Sequence, residues 1–165
     1  GELATRRLFD DGCSRILCLR SNSRMRMPAN KRTDAYLDVV EQAGLPALVR
    51  EVEFVKPDDE KSAVVAKILD ENPDIDGIFA GDDTMAAICL NVMKQRGLSA
   101  PDDIKVVGAD GARRTMTFMP DLTTVRQDID RIGELAAQSI IALINGDNPE
   151  SNIKLPVELI EGKTA

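Results

Sequence analysis

The sequence predicts an α/β fold with a doubly wound parallel sheet, and three observations carry that prediction. The runs Ile16-Leu17-Cys18-Leu19, Asp76-Gly77-Ile78-Phe79-Ala80 and Ile104-Lys105-Val106-Val107-Gly108 are apolar with little alternation, as in strands covered by helices on both faces. Segments of helical periodicity separate them, so strand and helix alternate along the chain. Aromatic residues make up only 3% of the 165 residues and Trp is absent, leaving an aliphatic core suited to helices packed on a sheet.

Residues 2–11 place Leu3, Ala4 and Leu8 on one helical face and stop at Gly12, and the first strand follows at once. A helix is expected over 31–43, with Tyr36, Val40 and Ala43 inward and Gly44 after it. Val52, Phe54 and Val55 mark the next strand, and Val64, Val65, Ile68 and Leu69 mark a helix over 59–71 before Pro73. The helix after Ala80 starts behind Asp82-Asp83, where a carboxylate caps exposed amides, and ends with Lys94, Arg96 and Gly97. Between Met85 and Met93 only Asn91 is polar, so this helix is apolar nearly all round. One face packs on the sheet, and the other calls for a subunit interface or for deeper burial in the same domain.

Beyond Gly108 the pattern becomes irregular through Pro120. Leu122-Thr123-Thr124-Val125 reads as a strand, and a helix from about 128 to 145 carries the stripe Ile129, Ile132, Ala136, Ile140 and Leu143 before Gly146. Ile153 to Ile160, interrupted by Pro156, reads as an edge or crossover strand. Such folds bind ligands beyond the carboxyl ends of the strands, so the loops there carry the functional question.

A net charge of -7 repels a phosphate backbone, so any DNA contact needs residues outside this chain. Cys13, Cys18 and Cys89 are odd in number and lack paired spacing, and no apolar run approaches a bilayer span; a cytoplasmic protein without membrane contact is expected. The chain opens at Gly1 directly into a helical pattern, which reads as a fragment. No cofactor or metal is expected, because neither a Gly-rich phosphate loop nor Cys-based metal spacing occurs.

The segment Asp76-Gly77-Ile78-Phe79-Ala80-Gly81-Asp82-Asp83-Thr84-Met85-Ala86 resembles the lactose/galactose repressor family of bacterial transcription regulators. Further matches follow at the family's spacing: Gly97-Leu98-Ser99-Ala100-Pro101-Asp102-Asp103-Ile104, Val107-Gly108-Ala109-Asp110, and Pro120-Asp121-Leu122-Thr123-Thr124-Val125-Arg126-Gln127. Gly12-Cys13-Ser14-Arg15-Ile16 and Arg32-Thr33-Asp34-Ala35-Tyr36 extend the resemblance over residues 1–162.

Members of that family are similar to periplasmic sugar-binding proteins, with two lobes, three crossovers, a small effector in the cleft and an N-terminal DNA-reading headpiece. The resemblance implies that residues 1–125 form the C-terminal lobe of the effector-binding core. The helix within 126–152 would lie on the N-terminal lobe, and residues 153–165 would form a returning strand and tail. It also implies a repressor whose operator DNA is met only through a headpiece outside this chain.

By the same resemblance, Arg32, Asp82 and Asp110 hold the effector, with Arg26 and Gln127 as further contacts. Arg32 offers a planar fork to hydroxyls or a carboxylate, against the alternative of a surface arginine opening a helix. Asp82 grips adjacent hydroxyls or caps the helix behind it, and both roles are compatible. Asp110 is a pocket acid or a turn aspartate before Gly111. Arg26 lies in a polar loop where the alternative is a solvated side chain. Relatives often stack an aromatic on the ligand near 54–58; here that position is Lys56, or Phe54 after a small shift. Carboxylates and arginines without an aromatic floor suit a sugar or sugar phosphate better than a flat purine. A homodimer is expected through Ala87 and Leu90, with Phe118 and Met119 from the following loop.

Two rival functions share features with this sequence. Gly81-Asp82-Asp83 and Asp110-Gly111 resemble loops of haloacid-dehalogenase phosphatases, but in the wrong order, and no His is present for general-base work; an enzyme is not expected. A periplasmic-type sugar-binding protein shares fold and pocket logic, and Leu122-Thr123-Thr124-Val125-Arg126-Gln127 favours the repressor type.

Overall fold

A computed structural model of the chain describes residues 1–22 and 29–165. Twelve elements follow in order: α1 (Glu2–Asp10), β1 (Ile16–Asn22), α2 (Ala29–Gln42), β2 (Leu48–Glu53), α3 (Asp58–Glu71), β3 (Gly77–Ala80), α4 (Asp83–Gln95), β4 (Lys105–Asp110), α5 (Arg113–Phe118), β5 (Thr123–Gln127), α6 (Ile129–Ile144) and β6 (Val157–Ile160). The strands form one sheet in the order β2-β1-β3-β4-β5-β6. All neighbours are parallel except β5 and β6, so the first five strands deliver their carboxyl ends to one edge. The order reverses between β1 and β3, which leaves a crevice at that edge where helices diverge to opposite faces.

The apolar runs are buried on both faces, and alternate residues divide between two cores. Leu17 and Leu19 of β1, Ile78 of β3 and Val106 of β4 pack with Val65, Ile68, Met85, Cys89, Val92 and Met93 of α3 and α4. Ile16, Cys18, Phe79, Val107 and Ala109 point the other way, against Ala4 and Leu8 of α1 and Tyr36 and Val40 of α2. The Tyr36 hydroxyl donates to Ile16 O at 2.7 Å and accepts from Leu48 N at 2.8 Å, closing the polar gap between β1 and β2 inside the second core.

The second strand differs from the reading around Val52 to Val55. It spans Leu48–Glu53, and Phe54 and Val55 are exposed in the turn before α3. Polar Arg50, Glu51 and Glu53 hid it, because an edge strand needs burial at few positions. The stretch read as irregular holds the short helix α5, and the last strand is an edge strand, antiparallel to β5. Beyond it the tail re-enters the sheet: Thr164 O accepts from Val106 N at 2.7 Å and Thr164 Oγ1 accepts from Thr123 N at 3.0 Å.

Helix α4 is used more fully within the domain than its sequence suggests. Met85, Ala86, Ile88, Cys89, Val92 and Met93 are all buried against the sheet and α3. By contrast α6 buries no residue, and Ile129, Ile132, Ile140, Ile141, Leu143 and Ile144 are exposed. No helix among the described residues is long and apolar enough to cross a membrane.

Candidate functional site

Four of the residues singled out from sequence stand at the carboxyl edge of the sheet. Arg32 lies in α2, Asp82 caps α4, Asp110 ends β4 and Gln127 ends β5. Arg26 lies outside the described residues. The edge is occupied because parallel strands all stop there and the helices behind β1 and β3 start there.

Asp110 is the centre of this group. Its Oδ1 accepts from Arg32 Nη2 at 2.6 Å and from Gln127 Nε2 at 2.8 Å, while Arg32 Nη1 donates to Gly81 O at 2.5 Å. Three elements are thereby joined through one carboxylate oxygen, and among the described residues no side-chain hydrogen bond reaches the other. The backbone at Asp110 has φ 117, which side chains rarely adopt, and Gly111 follows at φ 58. Only glycine fits there: a Cβ on Gly111 would stand 2.6 Å from Arg126 Cβ.

Asp82 shares the edge but not this hydrogen-bond group. Its Oδ1 accepts from Met85 N at 2.8 Å, which caps α4, and its Oδ2 accepts from Ser21 Oγ at 3.1 Å. The cap is therefore real, and each oxygen keeps a lone pair for another donor. Ser21 was missed in the sequence because the apolar run ends at Leu19, whereas the strand continues to Asn22.

A second missed residue is Asp83, whose side chain points inward and is buried. Its Oδ1 accepts from Thr124 Oγ1 at 2.5 Å and its Oδ2 from Gly111 N at 2.8 Å. Burial pushes its carboxyl up from the ordinary value, the two hydrogen bonds oppose that shift, and Asp110 and Asp82 add to it. Phe54 lies past the end of β2 under the Lys61 ammonium, 5.8 Å from its ring centroid, and Lys56 is paired with Glu60 at 2.9 Å.

The dimer candidates divide into two kinds. Ala87 is half-buried and lines a shallow groove of about 640 Å³ between α3 and α4, with Asp58, Asp59 and Asn91. Phe118 is 75% exposed. Leu90 and Met119 pack partly onto the α3–α4 core.

Chemically, the edge offers one guanidinium fork, two carboxylates and a carboxamide, a set that donates to and accepts from hydroxyls. The concavities of about 920 and 450 Å³ lie beside it, between α5, α6 and β6, and Gln127 lines both. Arg32, Asp82 and Asp110 line neither of these two concavities.

Residues 5–165 match the periplasmic binding protein-like domain. The chain is 33% identical over 162 residues to a sucrose operon repressor of Lactococcus lactis subsp. lactis, covering 98% of this chain and 49% of that protein. A LacI-family transcriptional regulatory protein from Corynebacterium glutamicum superposes with a TM-score of 0.86 at 25% identity, over 99% of this chain and 62% of that one. A transcriptional regulator CelR–cellobiose complex gives a TM-score of 0.86 at 28% identity, over 98% and 50%. The chain spans about half the length of the curated relatives it matches. With a match over nearly its whole length and a doubly wound sheet in common with these regulators, the chain belongs to the family of periplasmic binding protein-like domains, of the type carried by lactose/galactose repressors.

Proposed function

We propose that this chain is the effector-binding and self-associating portion of a cytoplasmic transcription regulator of the lactose/galactose repressor type. The observation that carries this reading is the joining of Arg32, Asp110 and Gln127 through one carboxylate oxygen at the carboxyl edge of the sheet, beside Asp82. Regulatory relatives named for sugars, a sucrose operon repressor and a CelR complex with cellobiose, support a hydroxylated effector. The two arginine donors and two carboxylates suit a sugar or a sugar phosphate.

The exposed apolar stripe of α6 supports a division of labour. Residues 1–125 act as one lobe supplying half of the pocket, and the helix within 126–152 lies on a second lobe, which accounts for its exposed isoleucines. Residues 153–165 return to the first sheet. Effector bridging two lobes favours one closure angle, and its differential affinity for the two states shifts DNA binding carried by a separate headpiece. Self-association uses the surface around Ala87 and Phe118, with Leu90 and Met119 beneath it.

Calorimetric titration of the whole regulator with sucrose, cellobiose and hexose phosphates tests the reading. At least one binds, and Arg32→Ala weakens it at least tenfold. Binding that is unaffected by both Arg32→Ala and Asp110→Asn would falsify the site.

A further inference from the structure

We infer that Asp83 is a positioning residue of this site: by accepting from Gly111 N and Thr124 Oγ1, it holds the chain at Asp110 in the conformation that presents the Asp110 carboxylate to Arg32 and Gln127. The inference rests on the reading of Asp110 as an effector contact, but its geometry stands apart from that reading.

Asp83 does not act as the helix cap, because Asp82 Oδ1 already accepts from Met85 N at the start of α4. Its side chain instead turns into the lobe, and a buried carboxylate is costly unless its oxygens are satisfied. Both are: Oδ1 by a hydroxyl from β5 and Oδ2 by the amide that follows β4. The two bonds clamp α4, β4 and β5 at one point.

The backbone around that point is shaped to the clamp. A Cβ on Gly108 would stand 2.6 Å from Asp83 Oδ1, so only a bare glycine lets the carboxylate reach between the strands. Two residues on, Asp110 takes φ 117, a strained conformation that persists only when its surroundings impose it. Gly111 N, directly after Asp110, is the group that Asp83 holds. Releasing that amide frees the Asp110 backbone to relax to negative φ, which swings its carboxylate away from Arg32 and Gln127.

The test is amide NMR on this chain. Asp83→Ala is expected to speed Gly111 amide exchange at least tenfold and to change the HN–Hα coupling of Asp110, with α1 and β1 shifts unmoved. Asp83→Asn offers a carbonyl to Gly111 N and an amide to Thr124 Oγ1, so it is expected to restore both signals. Thr124→Val, close in shape, is expected to loosen Gly111 several-fold, and Thr124→Ser to restore it; this pair decides the matter if Asp83→Ala does not fold. Asp110 and Gly111 signals that stay at their wild-type values in a folded Asp83→Ala or in Thr124→Val, or that Asp83→Asn and Thr124→Ser fail to restore, overturn the inference. In the whole regulator, with sucrose as probe, Kd is expected to rise at least tenfold in Asp83→Ala and to recover in Asp83→Asn. A loosened Asp110 with unchanged sucrose affinity overturns the effector role of Asp110 rather than the positioning role of Asp83.

Discussion

Arg32 and Asp110, separated by 78 residues, meet with Nη2 2.6 Å from Oδ1 at the carboxyl edge of the sheet. The pair is partly exposed, with side-chain exposures of 21% and 36%, so its contribution to stability is small, under about 1 kcal/mol. Its value lies in presenting a donor fork and an acceptor side by side.

Arg32→Lys should separate these two contributions. Lysine keeps the charge but loses the fork that spans Asp110 Oδ1 and Gly81 O. The unfolding free energy is expected to stay within about 1 kcal/mol of the wild type, while effector affinity of the whole regulator falls roughly tenfold to a hundredfold, as for loss of a charge-assisted hydrogen bond. Unchanged affinity would remove Arg32 from the site.

Self-association is best tested at positions outside the buried core, half-buried Ala87 and exposed Phe118. Ala87→Asp and Phe118→Ser alter side chains that contribute little to the core, so both are expected to yield folded monomers by sedimentation velocity. Leu90→Asp places a charge against the α3–α4 core and is expected to cost about 2 kcal/mol or more besides. Dimers that persist in both Ala87→Asp and Phe118→Ser exclude this surface.

The architecture was legible because burial on both faces leaves an uninterrupted apolar signature, as in Ile16 to Leu19 and Ile104 to Gly108. Edge elements carry no such signature, so the apolar pattern places β2 too late and does not mark α5, which buries no residue. The same division holds at the site. The order of motifs in the sequence points to Arg32, Asp82, Asp110 and Gln127, and the structure brings them to one edge, Asp110 and Gln127 at strand ends, Asp82 at a helix cap and Arg32 in α2. Ser21 and Asp83 were passed over: their contacts with Asp82, Gly111 and Thr124 arise only when separate strands align, and no local pattern encodes that. The all-round apolarity of α4 had two explanations, and burial against the sheet and α3 accounts for most of it.

Helix α6 gives a prediction of the opposite kind to a core. None of its residues is buried, so Ile140→Glu with Ile144→Glu should leave the unfolding free energy of this chain within about 0.5 kcal/mol of the wild type, as read by denaturant titration. Binding of an apolar dye and aggregation on concentration should both decrease, because the substitutions interrupt the exposed stripe. A stability loss of several kcal/mol would show that the stripe is covered within the chain.

Two aspartates should titrate the fold with opposite signs. Asp76 is partly buried, which opposes ionisation, but its Oδ2 accepts from Ser14 N at 2.7 Å and Ser14 Oγ at 2.9 Å, and its Oδ1 from Arg15 N at 2.8 Å. These bonds prevail and hold its carboxyl below the ordinary value of 3.8. Over the interval between the depressed value and 3.8 the unfolded chain binds more protons, so stability rises with pH and the contribution is complete above that interval. Asp76→Asn is therefore expected to be most damaging at neutral pH, by roughly 1–2 kcal/mol, and to approach the wild type as acid protonates Asp76. Asp83 is raised above 3.8 chiefly by burial, so there the folded chain binds more protons. Its contribution is present below 3.8 and is lost as pH rises through the folded value, which makes Asp83→Asn least damaging at neutral pH. Urea denaturation from pH 3 to 7 should show the two variants' deficits diverging in opposite directions, and parallel deficits would exclude the assigned shifts.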